Sequence, residues 1–137
     1  MINIKENNNN IEEFNYLYDA VGWGAYDKDI TKRALDNTFY SVSVYDDDKI
    51  IGYGRLIGDT ICFIHIHDVM VVPEYQCKKI GTMIMNKLLE KIKELKHKNP
   101  DLLVYLGASK NKEGFYEKFG FVTRTDADLG AGMILKD

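Results

Sequence analysis

The chain has 137 residues, of which 45% are hydrophobic and 28% are charged, and its formal net charge is −3. These values are typical of a globular protein with one core, so we predict a single domain over residues 1–137. The weak negative charge argues against nucleic acid or an anionic membrane as a partner. The N-terminus lacks the apolar core of a signal peptide, and no apolar run reaches transmembrane length. Two cysteines without metal-ligand spacing suit a reducing compartment, so we expect a cytoplasmic protein.

The first forty residues predict a short strand followed by two helices. Met1 to Lys5 alternates apolar and polar residues, which favours an edge strand. Apolar residues then recur at helical spacing from Ile11 to Ala20, and Asn10 is the expected N-cap of this helix. Asp27 is expected to cap a second helix over residues 28–38.

From Tyr40 onwards the apolar period changes to that of strands, and three consecutive strands are predicted. The first runs over residues 40–45 and ends at the polar turn 46–48. The second runs over residues 49–57, and the Gly-Asp pair at 58–59 indicates a hairpin. The third covers about 60–72. Short connections between neighbouring strands predict an antiparallel meander.

The second half of the chain alternates helix and strand. An amphipathic helix is predicted from about Ile80 to the Asn-Pro pair at 99–100, followed by a buried strand at about 101–107. A strand, helix, strand series implies a parallel junction between this strand and the strand at 60–72.

The C-terminal part is predicted to add one helix and two strands. Asn111 is expected to cap a short helix that ends at Gly120, and residues 121–122 and 133–135 are predicted strands. The order β-α-α-β-β-β-α-β-α-β-β predicts a mixed α/β fold, with a mostly antiparallel sheet and one parallel, splayed junction.

The segment V-V-P-E-Y-Q-C-K-K-I-G-T-M-I-M, Val71 to Met85, joins the third strand to the long helix. The first amides of a helix have no intrahelical partner and its dipole favours an anion, so residues 76–82 suit a pyrophosphate. Lys78 and Lys79 add positive charge. Neither the Walker sequence nor the dinucleotide glycine fingerprint is present. On these residues alone, an ordinary connection with solvated lysines explains the pattern equally well.

The chain contains two motifs, I-H-D-V-M-V-V-P-E-Y-Q-C-K-K-I-G and, later, F-Y-E-K-F-G-F at residues 115–121. In this order they resemble the acetyl-CoA signature of the GNAT superfamily of N-acetyltransferases. In that family the first run has the form V-x-V-x-P-x-x-[QR]-x-x-G-x-[GA]. The positions that match it are Val69, Val71, Pro73, Gln76 and Gly81. Cys77 and Lys79 stand where the family commonly has glycine, and we expect Lys79 to adopt a helical φ with its N–H towards the pyrophosphate.

The resemblance implies acetyl-CoA as the cosubstrate and assigns residues to it. The main chain of Val69, Met70 and Val71 would line the pantetheine arm. The pyrophosphate would lie on the loop formed by Gln76, Cys77, Lys78, Lys79, Ile80, Gly81 and Thr82. Tyr116 falls where many members of the family place a tyrosine beside the sulfur. Further contacts with the cofactor are expected from Asn111, Phe115 and Lys118.

Acetyl transfer to an amine needs a base for the amine and an acid for the departing thiolate. Tyr116 is the predicted acid, although packing against Phe115 would also explain it. Asp68, acting through a water, is the predicted base. His67 is an alternative, but a histidine on a strand is commonly a packed or surface residue. The alternation of a strand predicts His65 and His67 on one face and Asp68 on the other, and no third ligand suggests a metal.

Three aromatic residues are predicted to form walls of the acceptor site, namely Trp23, Tyr26 and Tyr40; an aromatic plug over the core would explain Trp23 as well. The resemblance predicts transfer of acetyl from acetyl-CoA to a primary amine of a small molecule or protein, by direct attack in a ternary complex. A non-catalytic acyl-CoA-binding module on the same fold is the alternative, and a homodimer stays open.

Overall fold

The computed structural model describes residues 1–137 and contains two compact units, Met1–Tyr105 and Leu106–Asp137. The sheet consists of five strands, which are β1 (Ile2–Glu6), β2 (Tyr40–Asp46), β3 (Lys49–Ile57), β4 (Phe63–Val71) and β5 (Leu103–Leu106). The helices are α1 (Ile11–Ala20), α2 (Lys28–Leu35), α3 (Ile80–Lys98) and, in the second unit, α4 (Glu113–Glu117). No helix combines the length and the apolar composition needed to cross a membrane.

The strands lie in the sheet in the order in which they occur in the sequence. Each neighbouring pair from β1 to β4 is antiparallel. β5 lies beside β4, and α3 joins the two, so this last junction is the strand, helix, strand crossover that links parallel strands. The predicted mixed α/β fold is therefore confirmed.

Helices cover both faces of the sheet. On one face α3 packs so closely that a Cβ built on Gly54 would lie 2.7 Å from Cγ2 of Ile84. On the other face α1 packs against Tyr53, whose ring meets Phe14 edge-on at a centroid distance of 5.4 Å. Residues of β3 thus alternate between α3 and the pair α1 and α2, which determines the side on which each functional side chain lies.

The asparagine run at residues 7–10 holds the N-terminus of α1 against the sheet. Asn10 is the N-cap, and its side chain accepts a hydrogen bond from the amide of Glu13 at 2.9 Å, which confirms the predicted cap. The Oδ1 atom of Asn9 accepts the hydroxyl of Tyr53 at 2.8 Å. This polar run therefore connects α1 to the sheet rather than forming a solvated loop.

The second unit differs from the prediction at both of its ends. Lys112, and not Asn111, precedes α4, and Asn111 has a φ of +68°. Residues 121–122 and 133–135 form no strands, so that prediction is wrong. Val122 is 65% exposed, and Met133, Ile134 and Leu135 are each more than 80% exposed. Apolar composition favours a strand only where another strand supplies hydrogen bonds, and these segments have none.

Candidate active site

A β-bulge interrupts β4 at Asp68, the residue that the sequence predicts as the base. Gly54 of β3 lies opposite two residues of β4, Asp68 and Val69, and Asp68 has a φ of +55°. The extra residue breaks the alternation of faces. As a result, Asp68 and His67 lie on the same side of the sheet, and the prediction that they take opposite faces is wrong.

The carboxylate of Asp68 is fully engaged inside the protein. Its side chain is 2% exposed, and Oδ2 accepts Nε of Arg55 at 2.7 Å. The hydroxyl of Tyr18 donates to Oδ1 at 2.5 Å. The guanidinium of Arg55 also donates to the carbonyl of Ala34 and the hydroxyl of Thr38, both at 3.0 Å. A carboxylate so enclosed does not reach an acceptor amine, so the prediction of Asp68 as base is corrected: Asp68 holds the strand in place.

His67 is the accessible basic side chain beside this network. Its side chain is 48% exposed, and its Nε2 lies 3.7 Å from Oδ1 of Asp68. The ring centroid of His65 lies 5.3 Å from that of His67, which confirms that the two histidines share a face. Burial lowers the pKa of His65, and the neighbouring charge of His67 adds to this effect. Of the two imidazoles, that of His67 is therefore the better placed to accept a proton from a ligand that binds at the surface.

An aromatic loop that packs on Tyr18 follows α1. Gly22 and Gly24 have φ values of +86° and +84°, which glycine adopts without strain. The amides of Trp23 and Gly24 donate to the carbonyl of Tyr18 at 2.9 and 3.2 Å. The rings of Trp23 and Tyr26 lie 5.3 and 5.5 Å from that of Tyr18, yet these two residues are 46% and 51% exposed. Both rings therefore pack on Tyr18 on one side and are still available to a ligand.

Tyr40 does not belong to this surface. It is 4% exposed, its hydroxyl donates to Oε1 of Glu6, and the ammonium of Lys91 on α3 lies 5.0 Å from the centre of its ring. Tyr40 therefore packs on the face that α3 covers, opposite the face of Tyr18. The prediction of Tyr40 as a wall of the acceptor site is corrected for this reason.

The loop before α3 presents a run of free amides. The six N–H groups of residues 77–82 donate to no acceptor in the protein, and the next amide, that of Met83, bonds to the carbonyl of Lys79. Nε2 of Gln76 donates back to the carbonyl of Val71 at 3.0 Å. Free donors at the N-terminus of a long helix form a surface with positive potential, which suits phosphate oxygens.

Two residues of this loop have left-handed backbone conformations. Cys77 has a φ of +63° and Lys79 a φ of +66°. The prediction of a helical φ at Lys79 is therefore wrong. Left-handed φ costs a residue with a Cβ about 1–2 kcal/mol, which is why glycine is common at such positions. The chain thus keeps the backbone shape that the signature's glycines allow, but with two strained side-chain-bearing residues.

Tyr116 lies in the second unit among aromatic rings. Its ring centroid is 5.0 Å from that of Phe115 and 6.4 Å from that of Phe121. Its hydroxyl makes no hydrogen bond within the protein, and burial raises its pKa. Asn111 and Lys118 are exposed residues on either side of α4. No group of three or more histidine, cysteine or acidic side chains could hold a metal.

Known proteins resemble this chain in sequence and in fold. The model of the acetyltransferase (GNAT) domain family matches residues 6–135. The uncharacterized N-acetyltransferase ycf52 of Gracilaria tenuistipitata var. liui is 31% identical over 125 residues, covering 88% of this chain and 66% of that protein. This chain therefore spans just under two thirds of that relative's length. The relative itself is described only as an uncharacterized enzyme, so the comparison names no acceptor.

Solved structures give the same result for the fold. A probable acetyltransferase from meticillin-resistant Staphylococcus aureus superposes with a TM-score of 0.87 and 30% identity, and all of both chains is covered. A GNAT family acetyltransferase from Streptococcus pneumoniae TIGR4 gives a TM-score of 0.84 and 29% identity, with 100% of this chain and 98% of that chain covered.

Replacing Arg55 by alanine should destabilise the fold strongly. The substitution leaves the buried Asp68 carboxylate without its ionic partner, which typically costs about 3–5 kcal/mol of unfolding free energy. Arg33→Ala is the matched control, because Arg33 pairs with Asp29 on the exposed surface of α2 and such pairs contribute little. Urea denaturation of both variants checks the prediction. Equal, small losses would show that the buried pair is dispensable.

Proposed function

The chain belongs to the GNAT family of acetyltransferases, and we propose that it transfers the acetyl group of acetyl-CoA to a primary amine by direct attack in a ternary complex. The observation that carries this proposal is the run of six free amides at residues 77–82, which occupies the family's cofactor motif. The family match extends from residue 6 to residue 135, which supports one acetyltransferase domain over residues 1–137.

In this proposal the cofactor's pyrophosphate lies on the amides of residues 77–82. Lys78 and Lys79 are exposed, so their ammonium groups can approach the phosphates, and the dipole of α3 adds to the attraction. The main chain of residues 69–71 lines the pantetheine arm. Weaker contacts with the cofactor are proposed for Asn111, Phe115 and Lys118.

The proposed reaction is an acyl transfer from the thioester to the amine. The lone pair of the neutral amine forms a C–N bond with the thioester carbonyl, whose oxygen becomes an oxyanion. A backbone N–H near Val71 stabilises that oxyanion, and one such donor is typically worth about 3 kcal/mol in the transition state. Collapse breaks the C–S bond, the sulfur takes a proton from Tyr116, and the amine nitrogen loses a proton to His67. The products are the amide and free CoA.

The acceptor would approach over the surface of Trp23, Tyr26 and His67. Tyr18 connects these residues, because its ring contacts both aromatic rings and its hydroxyl donates to Asp68, next to His67. The half-exposed rings can contact the apolar part of a small amine or the stem of a lysine side chain. Both small-molecule and protein amines therefore remain within the proposal.

A screen for CoA release tests the function directly. Acetyl-CoA is incubated with polyamines, aminoglycosides, arylalkylamines and peptide amines, and the free thiol is measured. At least one class should yield thiol and an acetylated product together, whereas ATP should not bind in calorimetry. Tight binding of acetyl-CoA with no thiol release across the panel would instead favour a non-catalytic acyl-CoA-binding module. The observation behind this alternative is that the strained loop has lysine where the family's motif has glycine.

Replacing Tyr116 by phenylalanine should lower turnover while leaving cofactor binding nearly intact. The variant keeps the aromatic packing but removes the proton of the proposed acid, and general acids typically contribute about 10²- to 10⁴-fold in rate. Steady-state kinetics and calorimetry with acetyl-CoA separate kcat from Kd. Tyr16→Phe is the control, because the hydroxyl of Tyr16 is on the surface of α1 without a partner. Unchanged turnover in Tyr116→Phe would rule out the acid role.

Replacing His67 by alanine should reduce kcat/KM, and free imidazole should restore part of it. Removing the side chain removes the proposed base and leaves room at an exposed site for imidazole from solution. His65→Ala is the matched control: it deletes the neighbouring imidazole, and added imidazole should bring no recovery. Full activity without His67, or equal recovery in both variants, would contradict the assignment.

A further inference from the structure

A side-chain contact anchors the loop of residues 77–82 to the sheet. Tyr75 ends the short 3₁₀ turn Pro73–Tyr75, and its hydroxyl donates to Oδ2 of Asp46 at the end of β2. The ammonium of Lys78 lies 5.4 Å from the centre of the Tyr75 ring. We refer to Asp46, Tyr75 and Lys78 as the loop clamp. Its hydrogen bond has an ionised acceptor, which makes it stronger than a bond between neutral groups.

The contact also determines the protonation states of its two partners. The hydrogen bond from Tyr75, together with the N-terminal amine, lowers the pKa of the Asp46 carboxyl, and the same bond raises the pKa of Tyr75. Asp46 is therefore an anion and Tyr75 a neutral donor at neutral pH, which are the states that the bond requires.

The loop itself contains little that would hold its shape. Cys77 and Lys79 are both left-handed, both are exposed, and the amides of residues 77–82 bond to nothing in the protein. Strained backbone persists only where its surroundings impose it. On the C-terminal side the imposing element is α3, whose first residue, Ile80, is buried. On the N-terminal side it is the 3₁₀ turn, where the amide of Tyr75 donates to Val72 at 2.9 Å.

We propose that Tyr75, held by Asp46, is a positioning residue that keeps Cys77 and Lys79 left-handed and so aims the amides of residues 77–82 at one pyrophosphate. Tyr75 acts through the loop and touches no reacting atom. The inference rests on the proposed function, because it takes the pyrophosphate of acetyl-CoA as the ligand of these amides. It explains how the loop keeps its shape with side chains in two positions that commonly carry glycine.

Loss of the clamp should reduce the fraction of molecules whose loop can bind. Without it, Cys77 and Lys79 relax towards negative φ and their amides diverge. The apparent Kd rises in proportion to the lost fraction, while the bound complex reacts as before. For two left-handed residues we expect Tyr75→Phe to weaken acetyl-CoA binding about tenfold, with kcat changed by less than about twofold.

Binding measurements distinguish positioning from general damage. Calorimetry gives Kd for acetyl-CoA in wild type, Tyr75→Phe and the surface control Tyr16→Phe, which should bind like wild type. Asp46→Asn keeps an acceptor oxygen and should lose less affinity than Asp46→Ala. Acetyl-pantetheine lacks the pyrophosphate, so its KM should be the same in wild type and Tyr75→Phe. An unchanged Kd for acetyl-CoA, or an equal loss for both acetyl donors, would overturn the inference.

A second experiment tests the clamp without any cofactor. Lys79→Gly removes the strain that the clamp imposes, so it should lower the unfolding equilibrium constant of the wild type about fivefold. In the Tyr75→Phe background the loop is already free to relax, and the same substitution should give little gain. Thr60→Gly is the control, because Thr60 has a φ of +68° in a different loop and should gain equally in both backgrounds.

The two experiments separate the inference from the function on which it rests. Equal gains from Lys79→Gly in both backgrounds would overturn the clamp, whatever the protein binds. A coupled response with acetyl-CoA binding but no thiol release would support the clamp and reject catalysis. A coupled response with no binding of acetyl-CoA would reject the pyrophosphate as the ligand and, with it, the positioning role.

Discussion

The ion pair between Arg55 and Asp68 connects most of the elements around the candidate site. Burying two charges is favourable only when their remaining hydrogen-bonding atoms are also satisfied, and here they are. Asp68 takes a second donor from Tyr18 on α1, and Arg55 donates to Ala34 at the end of α2 and to Thr38 beyond it. No buried side-chain nitrogen or oxygen lacks a hydrogen-bond partner. One pair thus joins β3, β4, α1 and α2.

The same pair maintains the bulge that arranges β4. Asp68 has a left-handed φ, which is unfavourable for a residue with a Cβ, although aspartate tolerates it better than most. The hydrogen bonds with Arg55 and Tyr18 hold the side chain in place and so offset this cost. Beyond the bulge, the side chain of Val69 lies on the face of the sheet that α3 covers, whereas that of His67 lies on the face that α1 covers. The proposed base and the strand segment proposed for the pantetheine arm therefore depend on one irregular residue.

The sequence predicted what depends on local period and composition. The bounds of α1 and the start of α3 were correct because apolar residues recur at helical spacing, and Asn10 caps α1 as its side chain allows. Tyr40 was misplaced although it alternates with Val42 and Val44, because periodicity shows which residues share a face and not which helix covers it. The bulge at Asp68 could not be predicted, since it is a property of two paired strands.

The errors after Leu106 and in the cofactor loop have a related cause. Met133 to Leu135 has the composition of a strand, but composition cannot show whether a neighbouring strand supplies hydrogen bonds. Lys79 has little intrinsic tendency towards positive φ, so its conformation follows from the turn at Pro73–Tyr75 and from the start of α3. The glycines of the family's signature do not reveal these determinants. A glycine shows that a positive φ is permitted at its position, but not which contacts impose it.

Hydrogen-bond partners distinguish Tyr116 from the other tyrosines whose pKa is raised. Several tyrosines have a raised pKa, but most of their hydroxyls are committed to acceptors within the protein. The committed residues are Tyr18, Tyr40, Tyr45, Tyr53 and Tyr75. Tyr116 differs, because burial alone raises its pKa and its hydroxyl has no partner. Because no buried side-chain oxygen lacks a partner, this hydroxyl is accessible from solvent, where the sulfur of a bound thioester can meet it. A hydroxyl that is accessible and not committed within the protein is compatible with the proposed acid role of Tyr116.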